Sequence, residues 1–148
     1  GNRLWPNSNK HQAKQFINFG NWTLFGKTLE RIKNPYFDNP IISTNLKYLK
    51  EVKKHLKKYT INNYKIILEP AKKNTGPAIL SSALIKDIPD QQPLMILSAD
   101  HLIEKSKLFI KEIKKKKNIC LEKIFLFLGL NPLNHLVIMD ISLVIKIN

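Results

Sequence analysis

The sequence predicts an α/β domain with a mostly parallel sheet, and two observations lead to that prediction. Short runs rich in β-branched residues alternate with segments whose apolar residues recur at helical spacing. Four predicted strands are separated by helices in this way, which is the pattern of βαβ units. The chain of 148 residues, 43% of them hydrophobic, is long enough for one domain with a core.

The first half of the chain contains two predicted helices and two predicted strands. Residues 23–34 place apolar side chains on one helical face, and an Asn-Pro pair ends that pattern. The β-branched run at 39–45 predicts a buried strand, and 46–59 is amphipathic, with lysines opposite an apolar stripe. Residues 64–70 form a second strand-like run, which ends at a proline.

The second half repeats this alternation. A proline near the first turn indicates a helix over 76–88. The aliphatic run at 93–103 predicts a strand that ends in polar residues, and 106–117 predicts a lysine-rich helix. The apolar stretch 123–130 is too short to cross a membrane and predicts a further buried strand.

The chain is strongly basic, with 25 Lys and Arg against 11 acids and a formal net charge of +14. Only Arg3 and Arg31 are arginines, and the lysines are spread along the chain. We therefore interpret most lysines as solvated helix faces and expect no nucleic-acid partner, since glycine-aromatic RNA signatures and zinc spacings are absent. A small substrate rich in phosphate would also suit this positive field.

Cysteine usage and hydropathy bear on the compartment. Cys120 is the single cysteine, so an intrachain disulfide is excluded and a reducing compartment is favoured. No apolar run is long enough to span a bilayer, and no signal-peptide pattern opens the chain. The sequence thus predicts a cytoplasmic protein without a membrane partner, and it leaves the oligomeric state open.

A first candidate segment spans 68–80, where a predicted strand ends in Glu69 and a helix starts near Thr75. Asn74 or Thr75 could cap that helix, and the backbone amides of the turn could bind the polar edge of a ligand. Glu69 could accept hydrogen bonds from the N–H groups of a base such as guanine. The alternative is a capped loop that binds nothing.

A second candidate segment spans 96–103, where a hydrophobic strand delivers Asp100 and His101 to its carboxyl end. A carboxylate in this place suits Mg²⁺, which in turn suits phosphates. His101 could position a substrate or simply cap the strand. An Asp-His pair without a ligand is the alternative.

The opening of the chain is the third candidate. Arg3 and Lys14 flank a compact loop that contains Trp5. Two cations that converge on one loop can neutralise a triphosphate and the charge that develops as pyrophosphate leaves. The alternative is a basic surface loop around a buried tryptophan.

Several segments share their pattern with one enzyme family, notably GNRLWPNSN, AKQF, TLERI, LEPAKKNTGPAI and LSADH. In order and spacing they resemble the sugar-nucleotide pyrophosphorylases, most closely the bacterial mannose-1-phosphate guanylyltransferases. That family has Thr-Arg-Leu-Trp-Pro and Pro-Lys-Gln-Phe near its start, then Leu-Glu-Pro-x-x-Arg-Asn-Thr-Ala-Pro-Ala-Ile and Leu-Pro-Ser/Ala-Asp-His. The resemblance covers roughly residues 1–132.

The resemblance implies a Rossmann-like nucleotidyltransferase domain that transfers GMP from GTP to mannose 1-phosphate with the help of Mg²⁺. GDP-mannose forms and pyrophosphate leaves. Carried over by position, Arg3 and Lys14 would be catalytic, and Asp100 would ligate the metal. The nucleotide-binding residues that it implies are Gly1, Asn2, Arg3, Lys14, Glu69, Asn74 and Thr75.

The chain departs from the family at both ends, so the domain is expected to be incomplete there. The strand and glycine pair that precede Gly1 in the family are missing, and the glycine-rich sugar loop is replaced after Pro132. We hypothesise a frameshift between about Pro132 and Ile138. The resulting boundaries are a partial catalytic domain over 1–132 and a divergent tail over 133–148, which we expect to pack poorly or to be mispaired.

Three functions remain open from the sequence. The leading one is an enzyme of the guanylyltransferase lineage, and the alternatives are an inactive remnant of that enzyme and a small basic nucleic-acid-binding protein. Because backbone donors for the phosphates and the sugar loop are both missing, we expect the 148-residue chain alone to make no detectable GDP-mannose.

Overall fold

The computed structural model describes residues 13–69, 79–82, 84–85, 93–122 and 141–147. The predicted strand at 123–130 and most of the predicted helix at 76–88 lie outside this part of the chain, although 79–82 are helical. The described elements are α1 (Leu24–Ile32), β1 (Ile41–Asn45), α2 (Leu49–Lys58), β2 (Lys65–Glu69), β3 (Leu94–Ser98), α3 (Ser106–Glu122) and β4 (Ile141–Lys146).

The elements from α1 to α3 agree with the sequence-based prediction in type and differ from it at their ends. A short 3₁₀ turn, Leu46–Tyr48, precedes α2, so the helix proper begins at Leu49. β3 is shorter than predicted because the chain turns at residues 99–100, while α3 continues to Glu122. None of the helices in the described ranges is long and apolar enough to cross a membrane.

The four strands form one sheet in the order β2-β1-β4-β3. β1 and β2 are parallel, with Asn45 opposite Glu69 at their carboxyl ends. β4 lies between β1 and β3 and is antiparallel to both. The first three strands of the chain therefore run in the same direction, as predicted, and their carboxyl ends meet at one edge of the sheet.

The position of β4 differs from what we expect for the tail of the chain. We expect this tail to pack poorly or to be mispaired, and its described part pairs with two strands in the middle of the sheet, so that part does not pack poorly. Ile145 is fully buried and Ile147 is 6% exposed. The apolar, partly β-branched run at 141–145 suits a strand with neighbours on both sides, and the burial of Ile145 removes apolar surface from water.

The helices that cover the sheet are held by local capping and by an aromatic core. The Thr23 side chain accepts a hydrogen bond of 2.9 Å from the Gly26 N–H and so caps α1. Phe25 of α1 is fully buried and meets the ring of Phe16 edge to face, with the ring centroids 5.7 Å apart. Phe16 ends the 3₁₀ helix that carries Lys14, so this packing fixes the position of that lysine.

Candidate functional site

Asp100 stands just beyond the carboxyl end of β3, in the turn that leads to α3. Its side chain is only 6% exposed, and a buried carboxylate needs compensating partners. The Ser98 hydroxyl donates a hydrogen bond to Oδ1, and the Lys14 ammonium forms an ion pair with Oδ2. The carboxylate is therefore held at a defined place on the edge of the sheet.

Lys14 reaches Asp100 from the 3₁₀ helix Lys14–Phe16, which lies before α1. Gln15 and Phe16 of this turn are buried and hold it against the core. The Lys14 side chain itself is 34% exposed, and its ammonium pairs with the carboxylate. An ammonium has three N–H donors, and those that do not face Asp100 can bind oxygens of a phosphate group.

Glu69 occupies the carboxyl end of β2, at the same edge of the sheet. The buried Ser43 hydroxyl donates a 2.6 Å hydrogen bond to Oε1 of Glu69. The Asn45 side-chain amide donates a 3.2 Å hydrogen bond to the backbone carbonyl of Glu69. Two strands separate β2 from β3, which places Glu69 about 14 Å from the end of β3. One nucleotide, with its base at Glu69 and its phosphates near Asp100, can bridge that span.

The structure thus brings Lys14 and Asp100 into contact and places Glu69 on the same edge. His101 is 43% exposed, and its Nε2 lies 3.9 Å from Asp100 Oδ1, which is beyond hydrogen-bonding distance. The remaining residues singled out by sequence lie outside the described part of the chain. They are Gly1, Asn2, Arg3, Asn74 and Thr75.

Sequence reasoning missed three residues that support the site. Ser98 and Ser43 hold the two carboxylates, and the side chain of Arg31 donates to the backbone carbonyl of His101 at 3.2 Å. A signal existed for Ser98, since the strand predicted over 93–103 contains both Ser98 and Asp100, and residues two apart on a strand share a face. The contacts of Ser43 and Arg31 join segments far apart in sequence, so no local pattern indicates them.

A divalent cation fits Asp100 only if the substrate completes its coordination. Among the described residues, no group of three or more His, Cys, Asp or Glu side chains is placed to hold a metal. Mg²⁺ commonly takes one or two carboxylates and fills its other positions with water and substrate phosphates. A single buried carboxylate beside a lysine is consistent with that kind of site.

The fold and the polar edge of the sheet agree with the comparisons to known proteins. A family model described as Nucleotidyl transferase matches residues 1–128. The chain therefore belongs to the nucleotidyl transferase family, a class of transferase enzymes.

The chain is also similar to individual curated proteins. The chain is 36% identical over 136 residues to mannose-1-phosphate guanylyltransferase 2 of Escherichia coli O157:H7, which covers 89% of the chain and 28% of that protein. It is 36% identical over 115 residues to the mannose-1-phosphate guanylyltransferase of Salmonella montevideo, covering 77% and 24%. It is also 37% identical over 109 residues to the alginate biosynthesis protein AlgA of Pseudomonas fluorescens, covering 72% and 23%.

The aligned region covers most of this chain but only a small part of each relative. The chain spans about a quarter of the length of these curated relatives. No solved structure matches it significantly.

Proposed function

We propose that this chain is part of a mannose-1-phosphate guanylyltransferase, which transfers GMP from GTP to mannose 1-phosphate. The observation that carries the proposal is the Lys14–Asp100 pair at the carboxyl edge of the sheet, where parallel sheets bind ligands. Relatives whose names state this activity support it. The family as a whole suggests a nucleotide and a sugar phosphate as substrates.

The reaction is a displacement at phosphorus. A phosphate oxygen of mannose 1-phosphate attacks the α-phosphorus of GTP, and the bond from that phosphorus to the α–β bridging oxygen breaks. Pyrophosphate leaves with the bonding electron pair. Such transfers need charge stabilisation and alignment more than covalent help from the protein.

Each residue of the site has a part in this proposal. Asp100 would hold Mg²⁺, which when bound neutralises phosphate charge. The Lys14 ammonium binds the triphosphate and stabilises the charge that collects on the leaving pyrophosphate. Glu69 accepts hydrogen bonds from the N1–H and N2–H groups of guanine, in an orientation that Ser43 fixes. Arg3 and the Asn74-Thr75 turn belong to the same proposed nucleotide site by resemblance.

Thermal unfolding of the purified chain tests the nucleotide site. GTP with Mg²⁺ should raise the Tm more than ATP with Mg²⁺, because Glu69 pairs with guanine. A ligand at 100 times its Kd adds about 2.7 kcal/mol to the free energy of unfolding. The stabilisation should fall when EDTA removes Mg²⁺ and in Asp100→Asn, but not in Glu104→Gln, which neutralises an exposed carboxylate on the same loop.

Two results would contradict this proposal. One is an equal rise in Tm with GTP and with ATP. The other is a rise in Tm with GTP that stays the same when Mg²⁺ is removed and when Asp100 is replaced by Asn. Salt-dependent binding to arbitrary DNA, without a nucleotide effect, would instead favour a nucleic-acid-binding protein.

Turnover is a separate question, and pyrophosphate release from GTP and mannose 1-phosphate measures it. From the resemblance we expect none from the 148-residue chain. Turnover that disappears in Asp100→Ala would overturn this expectation and support the transfer reaction directly.

A further inference from the structure

Arg31 is a buried cation beside the candidate metal loop. It lies on the last turn of α1 and is only 4% exposed. Its Nη2 donates a 3.2 Å hydrogen bond to the backbone carbonyl of His101, the residue that follows Asp100. The guanidinium carbon also lies 5.6 Å from the centre of the Phe109 ring on α3. Arg31 therefore joins two helices to the loop that carries Asp100.

The burial of Arg31 is costly, and its contacts offset only part of that cost. Burial lowers the pKa of the guanidinium because it removes water from the charge. Within the part of the chain that the structure describes, Nε and Nη1 are buried and have no hydrogen-bond partner. Buried polar groups without partners are destabilising. Among the described residues, the hydrogen bond that the guanidinium donates goes to the loop that carries Asp100.

The loop after β3 holds Asp100 through contacts that a bound ligand would change. Residues 101–105 contain no helix or strand, and the Asp100 side chain is held by contacts to Ser98 and Lys14. A ligand that recruits Lys14 to its phosphates removes one of these contacts. The hydrogen bond from Arg31 acts on the backbone next to Asp100 and does not depend on Lys14.

We propose that Arg31 is a positioning residue that fixes the Asp100 loop, so that the carboxylate stays aimed at the metal when Lys14 moves to the nucleotide. This inference rests on the proposed function, since it assumes that Asp100 binds Mg²⁺. Partners that orient a metal ligand typically contribute about 10- to 100-fold in metal affinity.

The variants separate positioning from packing. Arg31→Met keeps the length and apolar contact of the side chain but removes the donor, whereas Arg31→Lys keeps the charge and one donor group. Phe109→Leu loosens the contact between α3 and Arg31 without touching the loop. Lys27→Met removes another cation from α1, one that is exposed and paired with Glu30.

The measurement is the Kd of GTP by titration calorimetry, with Mg²⁺ and with EDTA, at a temperature where each variant is folded by circular dichroism. The ratio of the two constants reports the coupling between nucleotide and metal. We expect Arg31→Met to reduce this ratio about tenfold and Arg31→Lys to reduce it less. Phe109→Leu should lower the stability of the fold, and Lys27→Met should lower the positive charge. Both variants should leave the ratio of the two Kd values unchanged.

Failure of this inference and failure of the proposed function give different results. A normal ratio in Asp100→Asn means that Asp100 does not bind the metal, which overturns the proposed site. A collapsed ratio in Asp100→Asn, with a normal ratio in folded Arg31→Met, overturns the positioning role alone. If Arg31→Met does not fold, Arg31→Lys decides, because a wild-type ratio in that variant contradicts the need for the guanidinium.

Discussion

The ammonium of Lys14 is paired with the carboxylate of Asp100, although one precedes the first long helix and the other follows the third strand. The carboxylate is almost fully buried, while the lysine is one-third exposed. Each group compensates the charge of the other in the absence of a ligand. A nucleotide with its metal would supply the opposite charge to both, so the pair is suited to exchange partners on binding.

Removal of the Lys14 charge should weaken nucleotide binding specifically. We expect Lys14→Met to raise the Kd of GTP about tenfold or more, because a charge-assisted hydrogen bond to phosphate contributes roughly 1.5–3 kcal/mol. Calorimetric titration with GTP and Mg²⁺ measures the change. In an active form of the enzyme the rate should fall further, by about 100- to 1,000-fold, because the same group stabilises the leaving pyrophosphate.

Lys27→Met is the matched control for Lys14→Met. Lys27 also forms an ion pair, at 2.9 Å with Glu30, but both side chains are exposed on α1. Exposed pairs contribute less than about 1 kcal/mol. If both variants weaken GTP binding equally, general surface charge and not Lys14 is responsible.

Glu69 and Ser43 should determine the preference for guanine. ITP lacks the exocyclic amino group of GTP, so the ratio of their Kd values measures what that group contributes. We expect Glu69→Gln to bring this ratio close to one, and Ser43→Ala to reduce it partly, because Ser43 orients Oε1 through its 2.6 Å hydrogen bond. Discrimination between GTP and ITP that survives in Glu69→Gln would place the guanine elsewhere.

Gly26 lies where α1 packs against Tyr59, and substitution to alanine should destabilise the fold. A Cβ at Gly26 would overlap the phenol ring, with Cε2 2.7 Å away and Cζ and Oη closer still. Overpacking costs about 1–3 kcal/mol, which exceeds the roughly 1 kcal/mol that alanine gains over glycine in a helix. Urea unfolding should therefore show a lower free energy of unfolding for Gly26→Ala.

The Tyr59→Leu background tests this cause. With the ring removed, Gly26→Ala should become neutral or stabilising by up to about 1 kcal/mol, since only helix propensity remains. The same loss in both backgrounds would show that Tyr59 does not cause the effect.

His55 should make stability depend on pH. Its ring is 7% exposed and packs among aromatic rings, 5.2 Å from Phe16 and 5.6 Å from Phe25 between centroids. Burial lowers its pKa below the ordinary value of 6.5. The folded state then stays neutral where the unfolded state takes up a proton, so stability is complete above about pH 6.5 and falls as the pH drops toward the folded pKa.

The comparison with His55→Phe isolates that contribution. Between pH 7.5 and 5.5 the wild-type chain should lose stability relative to the variant, by at most about 1.4 kcal/mol per pH unit. Parallel curves of unfolding free energy against pH for the two proteins would rule out His55 as the source.

Much of the fold follows from local sequence patterns. The helices at Leu24–Ile32 and Leu49–Lys58 follow from apolar periodicity, β1 and β2 follow from β-branched runs, and β3 follows from an aliphatic run. The common edge for Glu69 and Asp100 was predictable as well, because parallel strands share the direction of their carboxyl ends. These features depend on neighbours in the chain or on a general rule of topology.

The partners of the site residues were not predictable in this way. Lys14 is expected near phosphates from sequence, but its contact with Asp100 depends on how the turn before α1 packs on Phe25. In the sequence, Ser43 is an ordinary strand residue, and its role depends on the pairing of β1 with β2, which places Glu69 beside it. In the sequence, Arg31 is likewise one cation of an amphipathic helix, and no local pattern indicates its contact with the loop after β3.

The sequence by itself determined the type and order of the elements from α1 to α3 and the polar strand ends, because these arise from short-range preferences. The tertiary structure alone decided the place of β4, which the tail sequence did not indicate. Strand pairing is a long-range choice, set by which edges are free and which faces must be buried. The run at 141–146 meets that condition between β1 and β3, where its backbone groups pair on both sides and Ile145 leaves water completely.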